Sequence, residues 1–181
     1  VYFLNVGSLT PRKKNEALLL AFVEARQRFT RQVGLVFVGD GSERENLHRL
    51  CIELEVDELV RFHPQLTSPD LLSALYANAI GSVSYGQAGL SVLQSFSYGV
   101  PYITHREAIS GGEIANLING VNGYLVESEA ELTLRLVELV NDRTLEARLS
   151  ADAYRYYQSY AGLELMVETF LDACRRLDKI I

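Results

Sequence analysis

Cysteine is scarce in this 181-residue chain: Cys51 and Cys174 are the only two, and they fit neither a CxxC pair nor a zinc-ligand spacing. A thiolate metal site is thereby excluded, and two buried, reduced thiols are the expectation. Long apolar runs are missing too. No stretch reaches the ~18 residues a membrane helix needs, and no signal-peptide pattern is present. Positive charge is in short supply: 17 Lys and Arg stand against 23 Asp and Glu, a net charge of −6. Phosphate backbones demand clustered basic residues, so a generic nucleic-acid binder is excluded. The one short cluster, Arg12-Lys13-Lys14, is equally well read as a solvated loop. Neither G-x-x-x-x-G-K-[ST] nor G-x-G-x-x-G follows the first strand candidate, which argues against P-loop and nicotinamide-dinucleotide chemistry.

What is present is regular alternation. Hydrophobic residues at 48% and charged residues at 22% are those of a folded domain, and the length suits one core with a helical appendage. The chain opens at Val1 inside an apolar run, so the expectation is a domain excised from a longer protein. Val1–Val6, Leu35–Val38, Val60–Phe62, Gly81–Tyr85, Pro101–Thr104 and Tyr124–Val126 read as strands. Their continuous apolarity predicts a sheet covered on both faces. Between them lie helical patterns: Glu16 to Phe29; a capping box of Ser42 and Glu45 before Leu47; Ser68-Pro69-Asp70 ahead of Leu71; and a second capping box of Ser128 and Glu131. From Arg143 no strand signal returns, and two helices, 144–160 and 163–178, are expected with a break near Gly162. The predicted fold is α/β: a three-layer, doubly wound, Rossmann-like parallel sheet with C-terminal helices.

In such a sheet the loops after the strands gather at one rim and build the site. Four of them carry glycines before a helix: Gly7-Ser8-Leu9-Thr10-Pro11-Arg12-Lys13, Gly39-Asp40-Gly41-Ser42, Gly86-Gln87-Ala88-Gly89 before Leu90, and Ser110-Gly111-Gly112-Glu113. Such turns let a ligand approach the backbone, and free N–H groups attract phosphate oxygens. Lys13 would add a full charge. Each signal taken singly also arises in any doubly wound protein for steric reasons.

Together and in this order, the motifs resemble the C-terminal, donor-binding domain of retaining GT-B glycosyltransferases of the family 4, or group 1, type. The resemblance spans about residues 2 to 140. It rests on Val6-Gly7-Ser8-Leu9 with Lys13, Val38-Gly39-Asp40-Gly41-Ser42-Glu43, Val60-Arg61-Phe62, Gly89-Leu90-Ser91-Val92-Leu93 with Gly99-Val100-Pro101, and Gly112-Glu113-Ile114 followed by Asn119-Gly120-Val121-Asn122-Gly123-Tyr124-Leu125-Val126. It implies a donor-binding unit over residues 1–142, half of a GT-B fold, with a helical tail over 143–181 packed on it. The acceptor-binding N-terminal domain would lie outside this chain. It further implies a UDP- or GDP-sugar donor without a required cofactor or metal, and a saccharide or lipid-linked acceptor. The expected location is cytoplasmic, and any membrane association would arise outside this segment.

The residues the resemblance assigns to the donor diphosphate are Gly7, Ser8, Lys13, Gly89, Leu90 and Ser91. Gly86, Gln87 and Gln94 are assigned to ribose and sugar, and Gly39, Asp40, His63 and Gln65 border the base. No catalytic residue is assigned. Departures matter here. Ser8 stands where the family has Arg, and Gly86 and Gln94 stand where it has the two acids of a Glu-x7-Glu motif. The function expected is transfer of a hexose-type sugar to a saccharide or glycoconjugate. The alternative is a catalytically weak or inactive domain serving as a binding or partner-stabilising subunit. His48 is read as solvent-exposed, and Tyr154, Tyr156, Tyr157 and Tyr160 as packing for the tail helices.

Overall fold

Six short apolar runs become six parallel strands in the computed structural model, which describes residues 1–177. They are β1 (Tyr2–Val6), β2 (Gly34–Val38), β3 (Val60–His63), β4 (Ala79–Val83), β5 (Tyr102–His105) and β6 (Gly123–Val126). Their order across the sheet is β3-β2-β1-β4-β5-β6. The order reverses between β1 and β4, the switch point where doubly wound sheets open a crevice. β5 begins one residue later than expected because Pro101 has no N–H to give to the ladder. β4 ends at Val83, so Ser84 and Tyr85 belong to the rim loop rather than the strand.

Alternation along the strands sends side chains to two faces. On one face Phe3, Leu35, Phe37, Val83 and Ile103 are covered by α1 (Asn15–Arg26), α2 (Arg44–Glu53) and α5 (Glu129–Asn141). Those helices bury Leu18, Leu19, Phe22, Leu47, Leu132 and Leu136. On the other face Leu4, Val36, Val38 and Tyr102 are covered by α3 (Pro69–Tyr76), α4 (Ser91–Ser97) and α6 (Arg143–Tyr156). Truncating a fully buried member such as Phe22 to alanine costs about 3–5 kcal/mol.

Helix starts show where local signals held. Ser128 Oγ accepts from the amide of Glu131 at 3.2 Å, and Glu131 Oε2 reaches back to accept from the amide of Glu127, one residue before the cap, at 2.8 Å. The box expected at Ser42 and Glu45 does not form. Leu9 O takes the Glu43 amide at 2.9 Å and Asp40 Oδ1 takes the Gly41 amide at 2.8 Å, so the turn runs on to Glu43 before α2 begins. Ser68 precedes Pro69 as the N-cap of α3 but makes no side-chain bond.

The tail differs from a pair of packed helices. α6 buries Leu149 and Ala153, then loosens into a π-turn over Tyr157–Ala161, and Gly162 turns extended. α7 (Leu163–Leu177) follows, exposed through residue 176, and position 178 of the expected helix lies outside the described residues. Tyr156 and Tyr157 pack against the α4–α6 core, whereas Tyr154 and Tyr160 stay on the surface. Cys51 is buried, its thiol pushed up to about 11 chiefly by desolvation, but Cys174 is exposed on α7. Two buried thiols were expected; Cys174 is not one, because α7 is exposed along its described residues.

Candidate functional site

The rim is held together by backbone contacts between loops. The β1 and β2 loops lie directly on one another: Gly7 N–H donates to Val38 O at 2.9 Å and Leu9 N–H to Asp40 O at 2.9 Å. Gly39 has φ +146°, and a Cβ there would overlap the carbonyl of Gly7, so this contact requires glycine. The two loops and the β3 loop enclose a small cavity of about 240 Å³ lined by Val6, Gly7, Ser8, Val38, Gly39, Asp40, Gln65 and Leu66. Its apolar floor and backbone edges suit a flat heterocycle.

Of the base-bordering residues, Gly39, Asp40 and Gln65 line that cavity and His63 does not. His63 contributes its carbonyl, which takes the Gly39 amide at 3.1 Å, and it borders a different hollow. That hollow, about 560 Å³, is lined mostly by strand starts, among them Val1, Tyr2, Gly34 and Leu59. Its size does not make it the site, because it lies away from the loops. Arg44, unmarked in the sequence, clips the cavity wall: Nη1 donates to Gly39 O at 3.0 Å and to His63 O at 3.4 Å. His48 is exposed as expected, yet its ring stacks on Phe62 at 4.0 Å.

Lys13 stands at the switch point between β1 and β4. It is only 8% exposed, and its Nζ donates to Gln87 O at 3.4 Å. Burial holds its ammonium pKa below the ordinary lysine value, opposed by the charge of Glu113. The Gln87 carbonyl also accepts from Ser84 Oγ at 2.8 Å, and Ser84 O accepts from Thr104 Oγ1 at 2.7 Å. This chain of polar contacts fixes the loop that faces Lys13. Glu113 folds back onto its own turn, accepting from Gly111 N at 2.8 Å and Ser110 Oγ at 3.1 Å, and its carboxyl is held below the usual range.

The remaining residues separate by where they point. Gly89 faces open space, and Leu90 is 76% exposed. Among the described residues the Gly89 and Leu90 amides find no protein acceptor. Ser91 does not face the rim: its Oγ lies 2.7 Å from Tyr102 Oη, under the start of α4. Tyr102 is fully buried and its phenol is pushed up to about 12 by desolvation, so it stays protonated. Gln94 Oε1 is 3.5 Å from Tyr76 Oη, a long contact toward α3. Gly86 is buried, its amide bonded to Lys13 O at 3.0 Å and its carbonyl to Ile109 N at 3.0 Å. A Cβ at 86 would overlap Arg12 O and lie 2.8 Å from Lys14 Cγ. The glycine therefore serves a close approach between two loops.

Lys13 Nζ lies beside Gly7, which lines the small cavity, and reaches Gln87 O of the loop that carries the open amides; a cation and free amides on neighbouring loops can hold an anionic phosphate next to a flat ring. No group of three or more His, Cys, Asp or Glu side chains is placed to hold a metal among the described residues. No helix among them is long and apolar enough to cross a membrane.

Comparison with known proteins shows the family. The family described as glycosyl transferases group 1 matches residues 1–156. The chain is 30% identical over 177 residues to the lipopolysaccharide core biosynthesis glycosyltransferase LpsE of Rhizobium meliloti, covering 93% of this chain and 48% of that protein. It is also 30% identical over 182 residues to the D-inositol 3-phosphate glycosyltransferase of Thermomonospora curvata, covering 93% and 41%. The chain thus spans about half the length of these curated relatives. Its fold superposes on the pneumococcal O-GlcNAc transferase GtfA, solved with UDP and GlcNAc, with a TM-score of 0.82 at 16% identity over 97% of this chain and 35% of that one.

Proposed function

Since the chain belongs to the group 1 glycosyl transferases, we propose that it binds the nucleoside diphosphate of an activated sugar donor in a retaining GT-B enzyme. In this reading the ring of UDP or GDP occupies the cavity at Gly7, Ser8, Gly39, Asp40 and Gln65. The diphosphate meets Lys13 and the amides of Gly89 and Leu90. Residues 1–142 form the donor unit, and a second half outside this chain brings a saccharide or glycoconjugate acceptor. The sugar moved is of the hexose class, and no metal is required.

The observation that carries this reading is Lys13: a nearly buried ammonium with no ion-pair carboxylate among the described residues, its Nζ on Gln87 O of the loop that carries the unbonded Gly89 and Leu90 amides. A buried charge needs a partner, and a diphosphate supplies one. Calorimetric titration with UDP and with GDP tests the proposal. Binding that weakens in Lys13→Ala supports it; no heat with either nucleotide at millimolar concentration overturns it.

A second reading, a binding or partner-stabilising subunit with little turnover, is favoured by one observation. Gly86 and Gln94 carry no carboxylate, position 86 has no room for a side chain, and the Gln94 amide oxygen lies 3.5 Å from Tyr76 Oη. Nucleotide binding with no sugar transfer by the full-length protein would select this reading.

A further inference from the structure

The strand order sets out the rim as a line. The small cavity sits over β1 and β2, Lys13 and the Gln87 carbonyl lie where β1 meets β4, and Lys14, Tyr85 and His105 follow over β4 and β5. If the first two positions hold the base and the diphosphate, the third receives the group attached beyond it. That position is cationic. Lys14 is exposed, its backbone fixed at φ +50° by the turn that precedes α1, with its amide donating to Pro11 O at 3.1 Å. Its side-chain stem runs along Gly86, and its Nζ stands 5.9 Å from the centre of the Tyr85 ring. Arg12 is exposed beside it.

None of Arg12, Lys13 and Lys14 forms an ion pair among the described residues, whereas arginines elsewhere, such as Arg31, Arg106 and Arg135, do. Three of the nearby acids are otherwise engaged, while Glu107 and Glu129 are exposed. Glu127 holds Arg106, Glu131 holds Arg135, and Glu113 is bonded to its own turn. His105 is tied to the neighbouring loop: Nδ1 accepts from the Glu107 amide at 3.1 Å, and Nε2 lies 3.2 Å from Glu127 O. Glu129 is the remaining acid whose charge is felt at Tyr85. In a chain of net charge −6, three consecutive unpaired cations at one rim form a local field that attracts anions. Lys13 answers to the diphosphate; Arg12 and Lys14 are left over.

We propose that the donor's sugar carries a negative charge, a hexuronic acid, and that Lys14, with Arg12 beside it, recognises its carboxylate. This rests on the donor-site reading above and sharpens it. A neutral hexose offers the ammonium of Lys14 only hydroxyls, while a carboxylate makes a charge-assisted hydrogen bond of about twice the strength.

The test titrates the chain with UDP, UDP-glucose and UDP-glucuronate, and with GDP, GDP-mannose and GDP-mannuronate. In the series whose free nucleotide binds, the uronate is expected to bind about tenfold more tightly than the neutral sugar, the worth of one charge-assisted bond. Lys14→Gln should bring that ratio to one, and Lys14→Arg should preserve it. A uronate bound no more tightly than its neutral counterpart overturns the proposal, as does a preference that survives in Lys14→Gln. Those outcomes leave the donor site standing if the free nucleotide still binds. Absence of binding by both UDP and GDP overturns the proposal and the donor site together.

Discussion

Gly86 lies against the carbonyl of Arg12 so closely that a Cβ at position 86 would overlap its oxygen. Both backbone polar groups of Gly86 are bonded across loops, to Lys13 and Ile109. Gly86→Ala should therefore lower unfolding free energy by about 1–3 kcal/mol through overpacking, and Gly86→Glu by more. Urea denaturation checks this. An unchanged midpoint for Gly86→Ala would mean the loops separate freely. Introducing Glu at 86 is consequently no simple restoration of a family residue.

Lys13→Met removes the buried charge and keeps the stem. Nucleoside diphosphate affinity should fall by about 1.5–3 kcal/mol, the worth of a hydrogen bond to a charged group, with little loss of folding stability. Calorimetry and thermal denaturation on the same variant separate the two effects.

The pH dependence follows from the same residue. The folded pKa of Lys13 is lowered from 10.5. Diphosphate affinity should hold at neutral pH, then decline as the pH rises through the lowered value, before an ordinary lysine would lose its proton. Folding stability moves the other way in that window: the unfolded chain holds more protons there, so Lys13's contribution rises with pH. Affinity measured from neutral pH to 10.5 in wild type and in Lys13→Met isolates the effect, which should vanish in the variant.

Tyr102→Phe deletes the hydroxyl that meets Ser91 under α4. The stranded Ser91 hydroxyl should cost about 1–3 kcal/mol. Ser91→Ala in the Tyr102→Phe background should cost less than in the wild type, and denaturation of all four proteins measures the coupling.

Asp142 Oδ1 accepts from the amides of Thr144 and Leu145 at 2.9 Å each, opening α6. Asp142→Ala should cost about 1 kcal/mol, read as a lower midpoint in urea. No change would show that α6 is held by Leu149 and Ala153 alone.

The sequence by itself determined the sheet, its parallel winding and the four loops at its rim. Those follow from local quantities: apolar runs too short for helices, amphipathic spacing between them, and caps such as Ser128 that act over a few residues. Even Lys13 was legible, as a basic residue in the right loop. Tertiary structure decided what each rim residue faces. Ser91 turns inward because Tyr102, eleven positions on, ends beneath it. His63 meets the β2 loop through its carbonyl and is absent from the cavity lining. Cys174 is exposed because α7 stays off the core along its described residues. Arg44 carried no local signal, since its role is to bind two carbonyls that only the folded sheet brings together. Gly86 shows the division most plainly. The sequence marks a missing side chain; the fold supplies the reason, a carbonyl seventy-four positions back in the chain that leaves no room for one.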